Sequence, residues 1–87
     1  MFEIWRNTES GERYLVIVRG GSVLVAAGPL KDHEDSRRVL ENRSNQHHNT
    51  WALLDMRRRP AAYRREYTRD RRGRAIPVPE EDDSRAG

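Results

Sequence analysis

Cysteine is missing from this 87-residue chain, which removes disulfides, thiolate nucleophiles and Cys-ligated zinc together. Lysine is almost missing: sixteen of the seventeen basic residues are arginine, a bias that either guanidinium chemistry or GC-rich codon usage produces. No stretch approaches the roughly 18 apolar residues of a membrane span. The opening run Met1-Phe2-Glu3-Ile4-Trp5-Arg6 lacks the basic segment and apolar core of a secretory leader, so a cytoplasmic protein is expected. Glycine-framed serines, a P-loop and a dinucleotide fingerprint are also lacking.

The length allows one small domain with a modest core and no deep active-site cavity. Apolar residues make up 34% and charged residues 36%, a polar balance that places part of the chain outside the fold. The charge is segregated. Residues 1–56 carry a net charge of about −1, residues 57–79 about +7 and residues 80–87 about −3, so the basic character belongs to one stretch.

The expected fold class is α+β: a small antiparallel sheet of about four strands, led by a β-hairpin, with one or two helices and an Arg-rich C-terminal extension. Residues 2–6 alternate in hydropathy and read as a strand. Tyr14-Leu15-Val16-Ile17-Val18 is apolar on both faces and reads as a central strand. Gly20-Gly21 accepts the positive φ of a tight hairpin and returns the chain into residues 23–27, which Gly28-Pro29 ends. Asp32 is a helix N-cap with Asp35 three residues on, so a helix is expected over residues 33–43, offering only Val39 and Leu40 to the sheet. Residues 51–56 are apolar except Asp55; their length and flanks favour a fourth strand, with helix as the alternative.

Pro60 suits the first turn of a helix that Gly73 would stop. Such a helix sets Tyr63 and Tyr67 on one face, packed onto the sheet, and Arg65, Arg69 and Arg72 on another. Pro77 and Pro79 force an extended end. The expected organisation is therefore an α+β domain over residues 1–59, an Arg-rich helix and extended segment over residues 60–79, and a disordered acidic tail over residues 80–87.

The candidate site lies in the arginine stretch: Arg57, Arg58, Arg59, Arg64, Arg65, Arg69, Arg71, Arg72 and Arg74, with Tyr63 and Tyr67. Guanidinium forks grip phosphate oxygens in pairs, and tyrosine rings stack on unpaired bases. The expected function is non-catalytic binding of nucleic acid, DNA or RNA, through this segment. The alternative is a protein-interaction or assembly subunit that docks on an acidic protein through its sheet face and the basic arm. An enzyme is not expected. His33, Glu34, Asp35, His47 and His48 have no metal-ligand spacing, so neither metal nor cofactor is assigned. An uncovered apolar strand would also allow a homodimer through sheet edges or faces.

Overall fold

Gly20 and Gly21 hold φ values of 59° and 80° and close the expected hairpin in the computed structural model, which describes residues 1–42 and 45–79. The hairpin joins β2 (Arg13–Arg19) to β3 (Ser22–Leu30). Three further strands, β1 (Phe2–Asn7), β4 (Tyr63–Arg69) and β5 (Ala75–Pro77), complete one antiparallel sheet in the order β3-β2-β1-β4-β5. The helices are α1 (His33–Asn42) and α2 (Thr50–Arg58), and a single 3-10 turn spans Pro60–Ala62. The α+β class therefore holds, with five strands among the described residues.

The sheet is the middle of three layers. Along β2, Tyr14 and Val16 face α2 and join Val23, Ala26, Ala52, Leu53, Met56 and Tyr63 in one core. Leu15 faces α1 and joins Ile4, Ala27, Leu30, Val39, Leu40 and Tyr67 in a second core. A central strand apolar on both faces thus receives one helix on each.

Both helices start where side chains satisfy their first amides. Asp32 Oδ1 accepts from Asp35 N at 2.7 Å, and Asp35 Oδ2 accepts from Lys31 N at 3.2 Å, a variant of the reciprocal capping box. The expected last residue of this helix, Arg43, lies outside the described residues. Asn49 caps α2, its Oδ1 accepting from Ala52 N at 2.9 Å.

Three expectations need correction. Residues 51–56 are helical, not a fourth strand: Ala52, Leu53 and Met56 bury one helical face, and the amide cap at Asn49 starts the helix. Trp51 points outward from this helix and is 70% exposed.

The helix expected over residues 60–72 does not form. Its place is taken by the 3-10 turn and β4, which pairs with β1. The reason is backbone satisfaction and burial together. With β2 on one side only, β1 would leave a row of amide groups unpaired, and Tyr63 and Tyr67 serve different cores.

The third correction concerns organisation. Residues 60–79 are not an appendage to a domain ending at residue 59, since β4 lies inside the sheet between β1 and β5. The acidic segment over residues 80–87 lies outside the described residues.

Candidate anion-binding interface

Most arginines of the 57–74 stretch are engaged by the fold. Arg57 Nε and Nη2 donate to the Val23 carbonyl at 3.1 and 2.8 Å. Arg59 grips Asp55 through Nε and Nη2 at 2.9 and 3.0 Å and reaches Glu9 at 3.1 Å. Arg65 pairs with buried Glu3 at 3.2 Å, and Arg74 with Asp70 at 2.9 Å. Arg69 donates Nη2 to the Glu41 carbonyl at 3.1 Å and lies 5.3 Å from the centre of the Phe2 ring.

Arg58, Arg71 and Arg72 are exposed. They do not form one patch: Arg58 ends α2, before β4 begins, while Arg71 and Arg72 follow its end. The seven residues of β4 span about 23 Å at the usual rise of a strand.

The tyrosines are not stacking platforms. Tyr63 and Tyr67 are both buried. The Tyr63 hydroxyl donates to Asp55 Oδ2 at 2.6 Å, and the Tyr67 hydroxyl meets His33 Nε2. The bidentate Arg59 fork, helped by the Tyr63 hydroxyl, holds the Asp55 carboxyl down to about 2. Burial, reinforced by the bond to Asp55, pushes Tyr63 up to about 12. Burial, with Glu12 beside the ring hydroxyl, does the same to Tyr14.

A different basic array appears when the sheet is read across its strands. Arg6 pairs with Arg13 on β2 and with Arg64 on β4. Three arginines drawn from distant parts of the sequence therefore occupy one cross-strand row, on the face that α1 covers. Neighbouring strands lie about 4.8 Å apart, so their backbones span about 10 Å. Like charges directly opposite one another oppose strand pairing.

Among the described residues, Glu66 bridges two members of this row, Arg6 and Arg13. Glu66 Oε2 accepts from Arg6 Nε at 3.0 Å, and Glu66 Oε1 accepts from Arg13 Nε. Glu66, two residues after Arg64, shares its face by ordinary alternation, and the register shift opposite Ile4 and Trp5 then brings Tyr67 onto that face as well. The extra residue lets Glu66 share a face with Tyr67 instead of alternating with it. His33, the first residue of α1, stands with Nδ1 3.7 Å from Glu66 Oε1.

The row is reachable. Side chains of Arg6 and Arg13 remain 29% and 25% exposed, and Glu66 19%. Among the described residues, Arg6 spends only its Nε on the protein. Lys31 is exposed and follows Leu30, the β3 partner of Arg13, so a further cation sits at the same end of the sheet. Hydropathy and charge runs do not reveal this array. The signal that could have found it is register, since residues 6 and 13 flank the turn at 7–12 and must face each other once the hairpin closes.

On the opposite face, a cleft of about 330 Å³ is lined by Trp5, Val23, Met56, Arg57 and Pro60 among others. The Arg57 fork is already committed there to the Val23 carbonyl. Among the described residues, no group of three or more His, Asp or Glu is placed to hold a metal ion. No helix among the described residues is long and apolar enough to cross a membrane.

Compared with known proteins, the chain matches no family, no curated sequence and no solved structure.

Proposed function

We propose that this protein is a small non-catalytic module that binds a phosphate-bearing polymer, nucleic acid in the first place. The contact surface is the row Arg13, Arg6 and Arg64, not the continuous 57–74 stretch. The observation that supports this reading is the alignment of three arginines on adjacent strands with Glu66 as the carboxylate shared by Arg6 and Arg13. Such a row costs pairing energy, and a bound polyanion would offset that cost. Three guanidiniums within about 10 Å of backbone width present a dense positive row to a strand that carries one charge about every 3.4 Å of axis.

The test is binding of fluorescein-labelled single-stranded DNA, single-stranded RNA and duplex DNA, followed by anisotropy from low to moderate salt. Three to four neutralised phosphates give a slope of the logarithm of the binding constant against that of salt of about −2 to −3 on single strands. Replacing Arg6, Arg13 and Arg64 by Gln should lower affinity at least tenfold and flatten the slope by about 2. An R71Q/R72Q variant should lose much less. The reading falls if the folded protein binds none of the three polymers at low salt, or if the triple variant binds as the parent does.

A second reading, interaction with another protein, rests on a separate observation. Trp51 and Leu54 project from α2 with 70% and 52% of their surface exposed. The surface that carries this reading is α2, because each face of the sheet already has a helix packed on it.

A further inference from the structure

Helix α2 presents two faces of different character. Ala52, Leu53 and Met56 pack inward, and Asp55 is held by Arg59 and Tyr63. Thr50, Trp51, Leu54, Arg57 and Arg58 are exposed. At 100° per residue, as 3.6 residues per turn requires, Leu54 lies at the centre of the outward face. Trp51 and Arg58 lie on one flank of it, and Thr50 and Arg57 on the other. Trp51 is about 4.5 Å before Leu54 along the axis and Arg58 about 6 Å after it.

That arrangement is its own complement. A two-fold axis passing beside Leu54 and perpendicular to the helix keeps each flank on its own side and reverses position along the axis. Leu54 then meets Leu54 of a second copy. Trp51, carried to about 4.5 Å beyond the axis, comes within about 1.5 Å in height of Arg58 on the same flank. Arg57 meets Thr50 in the same way. The Arg58 guanidinium makes no hydrogen bond or ion pair among the described residues, and a guanidinium over an indole face is a favourable pairing. Arginine and tryptophan are also the side chains that dominate interface energetics.

We infer that the exposed face of α2 is an isologous contact between two copies of this chain, with the helices antiparallel, Leu54 on the two-fold axis and Trp51 against the partner's Arg58. Two nine-residue helices bury less than the roughly 1,200 Å² of a standard stable interface. The dimer is therefore a weak, concentration-dependent one. It differs from pairing through sheet edges, which would involve β3 or β5.

The natural absence of cysteine gives a direct test. In the Leu54→Cys variant, the single thiol lies next to its symmetry mate, and mild oxidation should convert most of the protein to a disulfide dimer. Ser22→Cys, at the start of β3, should remain monomeric under the same treatment. Sedimentation of the parent chain from about 5 to 500 μM should show a concentration-dependent rise towards twice the monomer mass. Trp51→Ala and Arg58→Ala should each weaken that association at least fivefold, with circular dichroism and melting temperature close to the parent. Arg58→Lys should retain part of the association, whereas Arg58→Glu should abolish it.

A strict monomer at 500 μM overturns the proposal. So does dimerisation that Trp51→Ala and Arg58→Ala leave unchanged, or cross-linking that is no faster through residue 54 than through residue 22. None of these measurements involves nucleic acid, so the contact stands or falls separately from the arginine row.

Discussion

Tyr63 and Tyr67 stand four residues apart on one strand and point to opposite faces of the sheet. Regular alternation would set them on the same face. The register shift opposite Ile4 and Trp5 reverses the alternation between them, so that one strand supplies a buried aromatic to each core.

The first prediction follows from that separation. Tyr63→Ala and Tyr67→Ala should each destabilise the fold by about 3 to 4 kcal/mol, and the double variant should lose nearly the sum, because the rings share no packing partners. Urea unfolding of the four proteins measures this. A coupling above about 1 kcal/mol would contradict the two-core description.

The second prediction concerns pH. Asp55 is depressed from 3.8 to about 2 in the fold. Its contribution is complete above about pH 4 and is lost as pH falls towards 2. Tyr14 and Tyr63 are raised from 10.0 to about 12. Their protonated forms support the fold fully below about pH 10, and that support is lost as pH rises towards 12. Urea midpoints between pH 2 and 12 should decline at both ends. Asp55→Asn should flatten the acid limb, and Tyr14→Phe with Tyr63→Phe the alkaline limb.

Gly28 supplies the third. It holds φ at 137°, and a Cβ there would come within 3.1 Å of Leu30 N and Tyr14 Cδ2 and 3.2 Å of the Arg13 carbonyl. Gly28→Ala should cost roughly 2 kcal/mol or more from backbone strain and crowding. Gly11→Ala meets no neighbouring atom within 4 Å, so only its positive φ opposes it, and its loss should be smaller. Thermal melts of the two variants check the order.

Glu66→Gln should change stability and binding in opposite directions. Removing the carboxylate shared by Arg6 and Arg13 leaves neighbouring arginines facing each other, at a cost of about 1 to 2 kcal/mol. The same change frees both forks for a polyanion, so affinity for single-stranded nucleic acid at low salt should rise severalfold. Chemical denaturation and anisotropy on one preparation test both signs.

Much of the first half was legible because its signals are local. Gly20-Gly21 names a hairpin, the run 14–18 names a doubly buried strand, and Asp32 with Asp35 names a helix start. The second half was misread where two periods competed. Residues 51–56 are too short to separate strand from helix by hydropathy, and the cap that decides it, Asn49, lies outside the apolar run. Tyr63 and Tyr67 have helical spacing, and only the bulge, a tertiary feature set by pairing with β1, makes that spacing compatible with a strand. The arginine row was invisible for a related reason. Its members are seven and fifty-one residues from one another, or more, and only the strand order brings β1 between β2 and β4. Charge counted along the chain pointed to 57–74, where most of the guanidinium groups turn out to be spent on carboxylates and carbonyls of the fold.

Helices α1 and α2 lie on opposite sides of the sheet, and the arginine row shares its side with α1. Two copies joined through α2 would therefore carry their rows back to back, with two sheets between them. That geometry is unsuited to gripping neighbouring sites on one duplex. It would instead tie together two separate segments of polymer, so increasing protein concentration would shorten and condense a long nucleic acid, and a monomeric α2 variant would coat it without drawing it together.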